Sequence, residues 1–352
     1  MSAVEIPTRD TAPTAVDATA LLRIEHLTVR YATDSGDTIT PVDDVSIEIH
    51  PGETLGLVGE SGCGKSTLGR AILRLLRPDS GSILFDGREL VDLEGRALRA
   101  VRRHLQIVFQ DPRGSLDPKM TVSEIVGEPL RVHQVGAKAD RKHAVIEMLD
   151  SVGLDPSYLD RNPTTLSGGQ QQRIGIARAL ITRPKLVVCD EPVSALDLSV
   201  QAQVINLLQD LQRDLGVSYL FIAHNLAVVR HLSDRVAVMY LGQIVEQGPV
   251  HQVFARPLHP YTQGLLASVL RTDTGAHDRL DEAQQFVKGD IPSLHDVPKG
   301  CRYNTRCPFA QERCFEERPV LELAEGEHAE DHWVACHFWR DLDGLPKSFR
   351  AR

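Results

Sequence analysis

Val45, Ile47 and Ile49 alternate with polar neighbours in VDDVSIEIH, the period-two pattern of a strand with one face in a core and one toward solvent. LLRIEHLTVRY, from Leu21, and a loop precede it, and His50-Pro51-Gly52-Glu53 predicts a turn after it. The pattern then changes. Thr54 to Val58, Leu105 to Phe109, Leu186 to Cys189, Tyr219 to Ala223 and Val236 to Leu241 are short, continuous apolar runs, as parallel strands covered on both faces require. Helical periodicity separates them. Lys65 to Leu76 predicts one helix. Val200 to Leu215 predicts another, with Val200, Val204, Ile205, Leu207, Leu208, Leu211 and Leu215 on one stripe and Gly216 at its C-terminal cap. Between Asp111 and Arg178 strand patterns stop and two amphipathic stretches around Ile125 and Leu149 predict a helical insert. The expected fold class is α/β, with an antiparallel β portion at the start.

The 352 residues exceed what one hydrophobic core usually holds. Thr272 to Gln285 is polar and nearly devoid of large apolar residues, which marks a boundary. The reading is a disordered stretch over 1–20, a main domain over 21–271 with its insert at about 111–178, a linker over 272–289, and a small cysteine-rich extension over 290–352. Lys+Arg 39 against Asp+Glu 48 gives a net charge of −9, without the basic excess that a nucleic-acid backbone requires. No run approaches the roughly 20 apolar residues of a membrane span, and the start does not resemble a signal peptide. A cytosolic location follows as an expectation.

Gly59 to Thr67, GESGCGKST, follows a strand and opens a helix, the setting in which G-x-x-x-x-G-K-S binds phosphate. Backbone N–H groups of Gly59, Glu60, Ser61, Gly62, Cys63 and Gly64 and the helix start converge on phosphate oxygens. Lys65 adds a charge, Ser66 can hold Mg²⁺, and Thr67 continues the helix. Cys63, beside the helix start, is expected to have a lowered pKa and to react with maleimides unless ATP covers it. Leu186 to Glu191 is an apolar strand ending in two carboxylates. Asp190 can hold Mg²⁺ through water, and Glu191 can orient or deprotonate the attacking water. His224 ends another strand, where it could face a γ-phosphate. Leu166, Ser167, Gly168, Gly169 and Gln170 open a second helix with anion-binding character.

Together these motifs resemble the ABC-transporter ATPases: Gly59–Thr67 matches their Walker A, Leu166–Gln170 the signature, and Leu186–Glu191 Walker B. The resemblance implies a P-loop NTPase with a RecA-like core, an antiparallel β subdomain and a helical insert. It also implies Gln110 as the Q-loop residue and Mg²⁺ partner, Ser194, Ala195, Leu196 and Asp197 as the D-loop, His224 as the switch histidine, and Tyr31 as the aromatic that stacks on adenine. Each ATP would lie between one subunit's Walker A and another's signature, so that ATP closes a dimer and hydrolysis opens it.

QIVFQDPRGSLDPKM, FIAHNLAVV and LHPYTQGLL are similar to the oligopeptide/dipeptide importer ATPases, in particular to the second of their two ATPase types. That resemblance implies a second ABC ATPase subunit, two permease subunits, an extracytoplasmic solute-binding protein, and a peripheral place at the cytoplasmic face of the membrane. Peptides, nickel complexes and other small solutes are all cargo of that subfamily, and both homodimer and heterodimer stay open. The alternative is a soluble ABC ATPase acting on ribosomes, DNA or cluster assembly, against which stand the single signature and the absence of sustained heptads.

Cys301, Cys307, Cys314 and Cys336 are spaced C-x5-C-x6-C-x21-C. Four cysteines this close in a reducing compartment argue for metal thiolates. The intervals are longer than the pairs of most zinc ribbons. The relatives' tails imply a four-iron four-sulfur cluster, with Zn²⁺ as the alternative and His332 or His337 as substitute ligands. Cys63 and Cys189 also fit as small apolar fillers. ATP binding by residues 21–271 is expected to be independent of this tail.

Overall fold

The computed structural model describes residues 20–33, 36–274, 292–325 and 331–342. The expected N-terminal disorder and the linker lie almost wholly outside the described residues.

Two sheets organise the chain. The first is antiparallel, in the order β2 (Thr38–Ile49), β1 (Leu22–Ala32), β4 (Ser80–Phe85), β5 (Arg88–Glu89). Leu22, Ile24, Leu27 and Val29 of β1 are buried with Val45, Ile47 and Ile49 of β2, the last three as their alternation predicts. The second sheet runs β11 (Glu322–Leu323), β12 (Trp333–Val334), β10 (Gln243–Pro249), β9 (Arg235–Tyr240), β3 (Thr54–Val58), β8 (Ser218–Ala223), β7 (Leu186–Asp190), β6 (Leu105–Val108). From β9 to β6 all neighbours are parallel. Every residue of β3, β7 and β8 is buried, because the sheet is covered on both faces. In β7, Leu186 and Val188 enter one core cluster while Val187 and Cys189 enter the other.

The insert is helical, with Val122–Val132, Lys138–Ser151 and Gly168–Leu180 packed through Ile125, Val126, Met148, Leu149 and Ile174. The helix after the phosphate loop ends at Ile72, short of the predicted Leu76, because Arg74 takes φ 53° and donates Nε–H to Leu90 O. Strands β4 and β10 were not anticipated.

The cysteine-rich extension joins the main sheet. Val334 and Trp333 of β12 pair with Glu246 and Gln247 of β10, and the fully buried Glu246 carboxylate accepts from His332 Nε2, Leu258 N–H and His259 N–H. Tyr303, Cys301 and Cys307 pack on the larger core cluster.

Candidate active site

Strand register places the chemistry. Val58 is level with Ala223, Ile222 with Asp190, and Cys189 with Val108, so β3, β8, β7 and β6 end side by side. Their next residues are the phosphate loop, His224, Glu191 and the Phe109–Gln110 segment. Ligands of open parallel sheets bind outside such carboxyl ends.

The phosphate loop is held from outside. Gly64 has φ +112°, and a Cβ there would lie 1.8 Å from Pro41 O; one on Gly59 would lie 2.1 Å from Met239 O. Gly242 N–H donates to Cys63 O at 2.8 Å. Lys65 Nζ donates to Gly59 O at 2.8 Å and Glu60 O at 2.9 Å, folding the ammonium back over the loop. Ser66 Oγ donates to Asp190 Oδ1 at 2.7 Å, which sets the two oxygen donors suited to Mg²⁺ next to each other. Burial raises the Asp190 pKa, and the Ser66 hydrogen bond opposes the shift.

Glu191 follows with φ 48°, a left-handed conformation costly for a non-glycine residue and held by its N–H donating to Ile222 O at 3.0 Å. Gln110 Nε2 donates to its Oε2 at 2.8 Å, and His224 Nδ1 lies 3.5 Å from the same oxygen. The structure thus brings Gln110, Glu191 and His224 together. Ser194 Oγ and N–H both donate to Glu191 O, and Asp197 caps the helix Leu198–Leu215 by accepting from Val200 N–H. Ser194–Asp197 is therefore a short brace between Glu191 and that helix.

Ser167 caps the helix Gly168–Leu180 in a capping box with Gln170. Gly169 rests against Val200, where a Cβ would approach Cγ1 to 2.6 Å, and Gly168 lies beside Leu196. The signature is thereby seated on the segment that braces Glu191. Tyr31 is half-buried at the end of β1, next to Ile39 of β2.

One expectation needs correction. Cys63 is 3% exposed, and burial raises its thiol pKa despite Lys65, whose Nζ lies 3.8 Å from Sγ. It is a buried filler and not an exposed reactive thiolate. The tail also reaches the phosphate loop. Arg306 forms a bidentate ion pair with Glu60, Nη1–Oε2 2.8 Å and Nη2–Oε1 3.0 Å. Glu60 therefore offers Lys65 its carbonyl while its side chain points at the tail. Sequence reasoning missed Arg306, and Tyr261, whose hydroxyl accepts from Glu60 N–H at 2.9 Å. The spacing of 246 residues between Glu60 and Arg306 carries no local signal.

The four tail cysteines line one cavity with His259, Tyr303, Phe309 and His337. Burial is the main cause raising their pKa at Cys301 (to about 11), Cys307 (to about 12) and Cys336 (to about 12), and nearby thiols add to it. Among the described residues no group of three or more His, Cys, Asp or Glu is arranged to hold a metal ion. The cluster and zinc expectations thus meet convergent thiols but no closed ligand set. His332 is engaged by Glu246, and His337 Nε2 is 2.9 Å from Glu317 O.

A covered parallel sheet, a glycine loop with its lysine, and carboxylates at a neighbouring strand end define a P-loop nucleotide-binding ATPase. The ABC transporter family matches residues 42–194, and the oligopeptide/dipeptide transporter C-terminal region matches residues 245–314. The oligopeptide transport ATP-binding protein AppF of Bacillus subtilis is 49% identical over 302 residues, covering 86% of this chain and 90% of that protein. OppF of Escherichia coli is 49% identical over 311 residues, covering 86% and 92%. Among solved structures, the ATP-binding cassette MJ0796 in a dimeric post-hydrolysis state bound to ADP and Pi aligns with TM-score 0.60 at 30% identity, over 65% of this chain and 98% of that one. The cbiO1 structure from Clostridium perfringens, part of an ABC transporter complex, aligns with TM-score 0.62 at 28% identity, over 75% and 99%. The chain belongs to the ABC transporter ATP-binding proteins, in their oligopeptide-transport branch, and is an ATPase. No helix among the described residues is long and apolar enough to cross a membrane.

Proposed function

We propose that this chain powers import of peptides or related small solutes as one of two ATPase subunits beneath two permease subunits, fed by an extracytoplasmic binding protein and held at the cytoplasmic face through the permeases. The observation that carries the reading is the convergence of Lys65, Ser66, Asp190, Glu191, Gln110 and His224 at adjacent strand ends, in a chain whose tail matches the oligopeptide/dipeptide transporter region. Gly59–Thr67 binds the ATP phosphates, Ser66, Asp190 and Gln110 serve Mg²⁺, and Tyr31 stacks on adenine. Glu191, oriented by Gln110 and His224, aligns the attacking water and takes its proton. Leu166–Gln170 completes the site of the partner ATPase, and Ser194–Asp197 passes the state of Glu191 to that signature. When bound, Mg²⁺ neutralises charge that develops on the phosphates.

Co-purification of the tagged chain should recover two membrane proteins and a second, related ATPase, with ATP hydrolysis rising on assembly. Recovery of ribosomes or DNA-bound factors in their place would favour the soluble alternative.

The reading extends to the tail, where Cys301, Cys307, Cys314 and Cys336 would hold a four-iron four-sulfur cluster. Four thiols lining one cavity support it. Metal–thiolate bonds would contribute folding free energy to a segment too small and polar to fold unaided. Protein prepared anaerobically should be brown, with about four iron and four sulfide per chain. One zinc and no iron would defeat the cluster and leave the ATPase assignment standing.

A further inference from the structure

We propose that Arg306, in the cysteine-rich extension, is a positioning residue for the phosphate loop, acting through Glu60. The inference rests on the reading of Gly59–Thr67 as the nucleotide site.

The geometry is that of a fixed anchor. Arg306 is almost wholly buried, with its side chain 4% exposed, and its fork meets both oxygens of Glu60. Bidentate pairing of this kind fixes direction as well as distance. Nη1 also lies 3.3 Å from the Tyr240 hydroxyl, and the guanidinium carbon sits 5.8 Å from the ring centres of both Tyr240 and Tyr303. Tyr240, Tyr261 and Tyr303 pack against one another with centroids 4.6–5.5 Å apart. Tyr261 in turn holds the Glu60 N–H. Both the backbone and the side chain of Glu60 are thus gripped by one aromatic cluster, assembled from the sheet, the helix Pro260–Thr274 and the tail.

Glu60 is also where the loop meets Lys65, whose ammonium donates to Glu60 O. A shift of Glu60 moves the backbone groups that face phosphate together with the rest position of the lysine. Arg306 itself is rigidly tied to the cysteines: its N–H donates to Tyr303 O, as does that of Cys307, while Asn304 N–H donates to Cys301 O. A second tail residue works the same side. Arg302 donates to Leu241 O and pairs with Asp43, bracing the turn whose Gly242 N–H holds Cys63 O. A tail whose turn is displaced therefore releases the phosphate loop from outside.

The test is ATP affinity of the full chain, read by fluorescent-nucleotide titration, together with KM and kcat in the assembled transporter. Arg306→Met should raise Kd and KM for ATP by about tenfold and leave kcat at saturating ATP near the parent value. Glu60→Gln should raise Kd by a similar factor, and the double variant no more than either alone, because both remove one interaction. Arg306→Lys should recover part of the affinity, since lysine keeps the charge and loses the fork. If Arg306→Met does not fold, Arg306→Lys and Glu60→Gln carry the comparison. Unchanged Kd in these variants, or effects that multiply in the double, would overturn the positioning role, provided Lys65→Ala loses ATP binding. Parent-like binding by Lys65→Ala would instead sink the nucleotide-site reading.

Discussion

Glu191→Gln is expected to lower ATP hydrolysis by about 10²–10⁴-fold while leaving ATP binding intact. The amide keeps the shape of the carboxylate and can still meet Gln110, but it cannot take a proton from water. Lys65, Ser66 and Asp190, which serve phosphate and Mg²⁺, lie on other atoms and are untouched. An ATP-bound, closed dimer should therefore accumulate, visible by size exclusion in the presence of ATP. The left-handed backbone at residue 191 accepts glutamine no worse than glutamate, so the loss should be chemical, with Tm near the parent value. Hydrolysis by the variant at close to the parent rate would remove Glu191 from its assigned role.

Ser167→Arg should act on a different molecule from the one that carries it. The serine caps the helix Gly168–Leu180, and its loss should cost that helix about 1 kcal/mol. The larger effect is steric, because a long cationic side chain would stand where the partner's γ-phosphate is expected to meet the helix start. The assembled transporter should lose about 10²–10³-fold of its hydrolysis at the partner's site, the scale of removing oriented donors from a phosphate. ATP affinity of the isolated subunit should stay within about twofold of the parent. Abolished binding in the isolated subunit would mean that the signature serves its own chain's nucleotide.

Both variants concern groups that local sequence made legible. The phosphate loop, the carboxylate pair and the capped signature helix each lie within a dozen residues, and each has a backbone reason that shows in residue type: glycine for close approach, serine for a cap, an apolar run for a covered strand. The parallel strands were legible for the same reason. β4 was not, because Ser80, Gly81 and Ser82 interrupt its apolar pattern; its place is set by pairing with β1. How the tail packs was not legible: Tyr303, Val334 and His332 are buried against the main domain. Arg306 reads as one more charged residue until the fold brings it to Glu60. Cys63 was misjudged because the helix start favours a thiolate while the packing of Met239 and Gly242 around the loop excludes water, and desolvation wins.

Strand β12 bears on how the protein is made. β10 is hydrogen-bonded to β9 on one side, and Trp333–Val334 supplies its other neighbour from the cysteine-rich extension. During synthesis the ATPase core can assemble well before those residues emerge, and until then β10 presents an unpaired edge with a buried-type carboxylate, Glu246, at its centre. That edge is covered only when Trp333–Val334 pairs with it, and not by closure of the core.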